Sequence, residues 1–237
     1  MITLKVLQYN TDNLRHGWEY FDRNADNKDL FLLQRFPESK YKELCNVAEG
    51  RFYIENSVPG YGDLSLSIGR KRDSCTLQGM DAIALPNKQH CCAVEDYWQG
   101  AVAMKTTIVG GVGLVNVLPC FANSSGEFPI SKSQTLQDIE FVLKQCEDTP
   151  HIIVGDFHLS PDDEELSTLL EKYKFRSLLD SIDTFYNTTK EDPFNLDRFI
   201  TNSDVVSISD ISVDHDVKDK NGHLAISYNL DIGSINE

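Results

Sequence analysis

The chain has 237 residues, 41% of them hydrophobic, with 37 acidic against 22 basic side chains and a formal net charge of −15. That is enough apolar material for a sizeable core, and a single domain over residues 1–237 is the expectation for a chain of this length. So acidic a chain excludes tight, sequence-independent binding of nucleic acid through displaced counterions, unless its few cations are segregated on one face.

No apolar run of about 18 residues is present, and Met1-Ile2-Thr3-Leu4-Lys5 has neither a charged leader region nor a cleavage site. A soluble, intracellular, monomeric protein without a membrane span is expected. Cys45, Cys75, Cys91, Cys92, Cys120 and Cys146 are then expected as reduced thiols, and His90-Cys91-Cys92 lacks the spacing of a zinc motif.

Ile2 to Asn10 sets Ile2, Leu4 and Val6 on one face and Leu7 and Tyr9 on the other, which predicts a strand inside a sandwich. Residues 13–28 predict a short helix or loop, and Leu30 to Phe36 a strand stopped by Pro37. Pro37 can open a helix carrying Tyr41, Leu44 and Val47 and closed at Gly50. Strands are expected at Arg51 to Glu55, Leu64 to Ile68, Met80 to Leu85, Cys91 to Tyr97, Ala101 to Val109 and Gly113 to Leu118. Gly110-Gly111 reads as the hairpin turn between the last two. The basic cluster Arg70-Lys71-Arg72 can steer a phosphate or be a solvated turn. Ala122 to Pro129 reads as a loop, and Leu136, Ile139, Val142 and Leu143 share one face of a helix between Ser133 and Cys146.

His151-Ile152-Ile153-Val154 is a short apolar run that reads as a buried strand, and Gly155-Asp156 lets the backbone turn while holding a carboxylate at the strand's end. Behind it, Ser160 is expected to cap a helix with Pro161 at its first position and Asp162, Asp163 and Glu164 in its positive first turn. Two more strands are expected near Asp197 to Thr201 and Leu224 to Leu230.

The stretch Gly155-Asp156-Phe157-His158 resembles the Gly-Asp-Phe-Asn motif of the endonuclease/exonuclease/phosphatase superfamily, the fold of DNase I and exonuclease III. Tyr9-Asn10-Thr11-Asp12-Asn13-Leu14 is similar to the family's first motif and Leu32-Leu33-Gln34 to Leu-Gln-Glu. Leu196-Asp197-Arg198-Phe199-Ile200 is similar to Leu-Asp-Tyr-Ile/Phe, and Gly222-His223-Leu224-Ala225-Ile226 to the closing Ser-Asp-His motif. The motifs occur in the family's order. The resemblance implies an α+β fold, a four-layer αββα sandwich of two mixed sheets flanked by helices.

It also implies a metal-dependent phosphodiesterase, with Mg²⁺ or Mn²⁺ on hard oxygen ligands and an activated water. Matched position by position, Asn10 orients the metal shell or phosphate, Asp12 and Asp156 are metal-side acids, and Asp156 positions or deprotonates water. His223 stabilises charge on the scissile phosphate while Asp197 accepts from its other nitrogen. Arg70, Lys71 and Arg72 are the candidate phosphate contacts. Each residue also has a plainer reading, as a turn closer for Asn10, Asp12 and Asp156 and as a structural histidine for His223.

Several positions depart from the pattern. Arg35 stands where the metal-binding glutamate is expected, His158 replaces the motif's asparagine, Gly222 the closing aspartate, and Val117 or Leu118 the Tyr or His after the middle strand. Two functions follow. One is a nuclease-like hydrolase of nucleic acid or another phosphodiester with an altered site, in which Asp156, His158 and His223 can hold a transition metal. The other is a catalytically degenerate binding module needing no cofactor, with Arg35 filling the metal cavity.

Overall fold

The first strand, β1 (Ile2–Asn10), lies inside a sheet and is buried on both faces from Val6 onward, while Ile2, Thr3 and Lys5 are exposed. The computed structural model describes residues 1–11, 24–37, 52–56, 64–75, 77–87, 102–108, 110–119, 132–179, 181–187, 195–214 and 221–234. Around β1 lie β2 (Leu30–Pro37), β3 (Phe52–Asn56), β4 (Leu64–Lys71), β12 (Val206–Asp214) and β14 (Ala225–Ile232), in the order β12-β14-β1-β2-β4-β3. A second sheet has six strands, which pair in the order β5 (Leu77–Ala84), β6 (Val102–Ile108), β7 (Gly113–Leu118), β8 (His151–Asp156), β11 (Asp197–Thr201) and β9 (Arg176–Ser177). Both sheets are mixed, with β1–β2 and β7–β8 the parallel pairs. A ribbon of β10 (Phe185–Asn187) and β13 (Asn221–His223) stands apart.

The sheets stack face to face. Leu4, Val6, Leu32 and Ile68 of the first meet Leu114, Ile152, Val154 and Phe199 of the second in one fully apolar cluster. Each such side chain contributes about 1.5–3 kcal/mol when withdrawn from water. The outer face of the second sheet, with Val115, Ile153 and Ile200, is covered by Ile139, Val142 and Leu143 of α1 (Lys132–Gln145) and Leu166 of α2 (Glu164–Lys172). This is the DNase I-like sandwich that the motifs imply. The helix expected after Pro37, the strand expected at Cys91 to Tyr97, the loop from Ala122 and the segment 13–23 lie outside the described residues. No helix among the described residues is long and apolar enough to cross a membrane.

Two local expectations are corrected, and four strands carried no expectation. Strand β5 starts at Leu77, not Met80, and Leu85 lies beyond it, because a bulge between Gln78 and Asp81 with Gly79 at φ +65° breaks the alternation. Helix α2 is capped by Asp163, not Ser160: its carboxylate accepts the amides of Glu165 and Leu166, and Ser160 and Pro161 form the preceding turn. Strand β12 went unread because a bulge between Ser209 and Ser212, with Asp210 at φ +49°, shifts the apolar parity from Val206 and Ile208 to Ile211 and Val213. Strands β9, β10 and β13, of two or three residues, are too short to leave a periodic signal. The Gly110-Gly111 turn is as expected, with φ of +88° and +76°. Cys75 and Cys146 are free thiols, and burial pushes the Cys146 thiol up to about 11.

Candidate active site at one end of the sandwich

Three inter-sheet rows change from apolar to polar at the same end. On β1, Leu4 and Val6 are followed at the same parity by Gln8 and Asn10, on β8 Ile152 and Val154 by Asp156, and on β11 Phe199 is preceded by Asp197. Asp156 and Asp197 are directly paired in the antiparallel ladder of β8 and β11. Gly155 is required by close approach, since a Cβ there would lie 1.9 Å from the Val117 carbonyl oxygen on β7. Past Asp156 the chain runs through Phe157, whose amide bonds the Leu196 carbonyl, into His158 at φ +52°, whose amide donates to Asp156 Oδ1 at 3.1 Å.

The side chains converge on one oxygen. Asn10 Nδ2 donates to Asp156 Oδ2 at 2.8 Å, and the Nε2 atoms of His158 and His223 lie 2.7 and 3.2 Å from the same atom. His223 Nδ1 lies 2.9 Å from Asp197 Oδ2. Both ring nitrogens of His223 thus face carboxylate oxygens, and both contacts are hydrogen bonds only when each nitrogen carries hydrogen. Asn10, Asp156, Asp197 and His223 are buried, whereas the His158 side chain keeps 16% of its exposure and is the member that reaches solvent. Buried charges persist only when paired and hydrogen-bonded, and this set pairs them.

A polar layer just inside the site ties the two sheets together. Gln34 Nε2 donates to Asn116 Oδ1 at 2.7 Å, and Asn116 Nδ2 donates to the carbonyls of Leu33 and Ser67. Gln8 Nε2 reaches the Arg198 carbonyl and its Oε1 accepts from Tyr228. Asn116 corrects the reading of β7: Val117 faces the helices and Leu118 the inter-sheet core, so the polar residue at this level is Asn116. Thr184 was also missed. Its buried hydroxyl accepts the amides of Leu196 and Asp197 at 3.1 and 3.0 Å, and its carbonyl accepts that of Leu224 at 2.7 Å. It therefore sets the backbone on either side of the Asp197–His223 pair, and no spacing rule points to a lone threonine.

Arg70, Lys71 and Arg72 are not part of this cluster. Arg70 pairs with Leu30 at the start of β2, whereas Asn10 is level with Gln34 near that strand's other end. The guanidinium carbons of Arg70 and Arg72 lie 4.6 and 5.9 Å from the ring centre of Tyr53 instead, and Lys71 Nζ donates to the Asp26 carbonyl. Arg35 lies on β2 where the register with β4 shifts, but its side chain is outside the described residues, as is the whole of Asp12.

Asp156, Asp197 and His223 present ligand atoms within 4.8 Å of one another, a group able to hold a divalent ion. It is a poor match to Mg²⁺, which asks for hard oxygen ligands in an octahedron. The Asp156 oxygen is ringed by three nitrogens, and Asp197 is engaged with the His223 ring. The imidazole nitrogens of His158 and His223 beside that oxygen suit a borderline transition ion.

No protein-family model and no curated protein matches the sequence. Solved structures do. The chain is similar to an endonuclease/exonuclease/phosphatase from Bacteroides vulgatus, with a TM-score of 0.72 at 11% identity, covering 98% of this chain and 100% of that one. It is similar to a mannosyl-6-phosphatase from Bacteroides thetaiotaomicron, with a TM-score of 0.68 at 13% identity over 96% and 99% of the two chains. It is also similar to ANGEL2, a 2′,3′-cyclic phosphatase solved with adenosine-2′,3′-vanadate, with a TM-score of 0.71 at 11% identity over 98% and 96%. The shared property is the fold, and the substrates named for those proteins differ.

Proposed function

We propose that this chain, which has the fold of the endonuclease/exonuclease/phosphatase proteins, is a phosphodiesterase working from the buried end of its sandwich. The observation that carries the reading is the convergence of Asn10, His158 and His223 on one oxygen of Asp156, with Asp197 behind His223. Burying the polar side chains of Asn10, Asp156, Asp197 and His223 together costs stability that no packing role recovers, and mutually bonded titratable groups of this kind point to a reaction centre.

In this reading Asp197 accepts the Nδ1–H of His223, fixing the ring so that Nε2 faces the reacting phosphate and stabilises its developing charge. Asp156, held by the Asn10 amide, accepts the proton of the attacking water. A bound divalent ion would supply Lewis-acid polarisation of the phosphate. The substrate is a phosphodiester in nucleic acid or in a smaller molecule. A formal charge of −15, and a basic trio at the far end of the sheet, favour a small or terminal substrate over a long duplex.

The test is turnover of bis(p-nitrophenyl) phosphate by the metal-stripped chain, resupplied in turn with Mg²⁺, Mn²⁺ and Zn²⁺. Asp156→Ala and His223→Ala should each lower kcat by about 10²–10⁴-fold. Arg35 at the position of the expected glutamate favours the second reading, a binding module. Phosphate-dependent stabilisation without turnover under any ion would select it.

A further inference from the structure

We infer that this centre takes a transition-metal dication on Asp156, His158 and His223, in place of the hard-oxygen Mg²⁺ site that the sequence resemblance implies. The inference rests on the phosphodiesterase reading for its location and revises two of its roles: His223 Nε2 and Asp156 Oδ2 would hold the ion, and the ion would take over stabilisation of the charge on the phosphate. Its first support is the pairing of two changes: the position expected to offer a carboxylate holds Arg35, while the position expected to offer an amide holds an imidazole, His158. Oxygen donors are lost as a nitrogen donor is gained.

Two of the three donor-to-donor distances lie close to those around a bound ion. Zinc-type bonds of ~2.1 Å in a tetrahedron place neighbouring donor atoms ~3.4 Å apart. The Nε2 atoms of His158 and His223 already stand 2.7 and 3.2 Å from Asp156 Oδ2, so each contact needs to spread by only ~0.2–0.7 Å. The imidazole rings, 6.2 Å between centres, must approach by ~1 Å to reach the ~5.3 Å of two histidines on a tetrahedral ion. His158 is the most exposed of the three, its side chain at 16% against 2% for His223 and 0% for Asp156.

The surroundings are those of a metal-ligating histidine. A ligating imidazole ordinarily donates its second N–H to a carboxylate, which settles the tautomer and leaves the other nitrogen for the ion. His223 does this through Nδ1 to Asp197 Oδ2 at 2.9 Å, leaving Nε2 directed at Asp156. Asp197 is then a positioning residue. Three protein ligands leave the fourth position open, the count found at catalytic rather than structural zinc sites. His158 holds a left-handed backbone, φ +52°, the sort of strain retained where a side chain has a task.

The experiment uses the full chain stripped with a chelator and no substrate. Co²⁺ should bind one to one with the visible absorption of a tetrahedral nitrogen and oxygen site. Zn²⁺ should displace it stoichiometrically and raise the melting temperature, and Mg²⁺ in large excess should do neither. His158→Asn, which suits the left-handed backbone, should lower Zn²⁺ affinity at least ~100-fold, and Asp197→Asn by ~10–100-fold. Mg²⁺ competing at equal concentration, Zn²⁺ binding unchanged in His158→Asn, or no ion bound at all would each overturn the assignment. Binding is read without turnover, so absence of hydrolysis would leave this inference standing, and absence of metal would leave hydrolysis to be judged by its own assay.

Discussion

Replacing Gly155 by alanine should be the most damaging single-methyl change near the site. The added carbon would sit 1.9 Å from the Val117 carbonyl oxygen and 2.9 Å from its carbonyl carbon. These are backbone atoms of the neighbouring parallel strand, so no side-chain rotation relieves the overlap, and β7 and β8 must part by more than an ångström. Overpacking of this kind costs about 1–3 kcal/mol, and weakening one or two ladder hydrogen bonds adds ~0.5–1.5 kcal/mol each. The expected loss is ~2–5 kcal/mol, a large part of the ~5–15 kcal/mol of a typical domain, with a fall in melting temperature of very roughly 5–15 °C. Urea unfolding followed by tryptophan fluorescence and by circular dichroism measures it. Because Asp156 rides on the same strand, its contacts with Asn10 at 2.8 Å and His223 at 3.2 Å should be lost as well, so turnover should fall even where the variant remains folded. A Gly155→Ala protein within ~0.5 kcal/mol of the parent would refute the close-approach account of this strand pair.

Thr184→Val removes the hydroxyl that accepts two buried amides and should cost about 1–3 kcal/mol, whereas Thr184→Ser should retain the dyad. The downfield proton resonance of His223 Nδ1–H reports which variant keeps the contact with Asp197. Asp163→Ala leaves the amides of Glu165 and Leu166 without their cap and should cost ~1 kcal/mol in a denaturant titration, while Ser160→Ala should cost little, as Ser160 is not the cap. Burial holds the His151 imidazole below its ordinary value of 6.5. The unfolded chain therefore takes up a proton that the native state resists: stability is full above that value and declines as pH falls below it, until the native imidazole also titrates. Comparing the unfolding free energies of the parent and His151→Gln from pH 8 to pH 5 isolates this slope, and parallel curves would show that His151 does not carry it.

What the sequence determined by itself was local. The apolar run Ile152 to Val154 reads as a buried strand, Gly110-Gly111 as a turn, and alternation on β1 delivers Asn10 to a strand end, because side-chain period and backbone freedom are properties of neighbouring residues. The resemblance to the family's motifs singled out Asp156, Asp197 and His223, and the tertiary structure brings them within hydrogen-bonding reach of one another. The tertiary structure decided which groups meet across the sheets. Asn116 and Thr184 carry no spacing signal, since their partners, Gln34 and Asp197, lie on other strands. The Arg70–Arg72 cluster looked available to a phosphate until the pairing of Arg70 with Leu30 set it at the opposite end of its sheet. Whether Asp163 or Ser160 capped α2 turned on which oxygen reached two amides at once. Bulges at Gly79 and Asp210 shifted strand parity for the same underlying reason: a register is agreed between strands, and one strand's residues do not contain it.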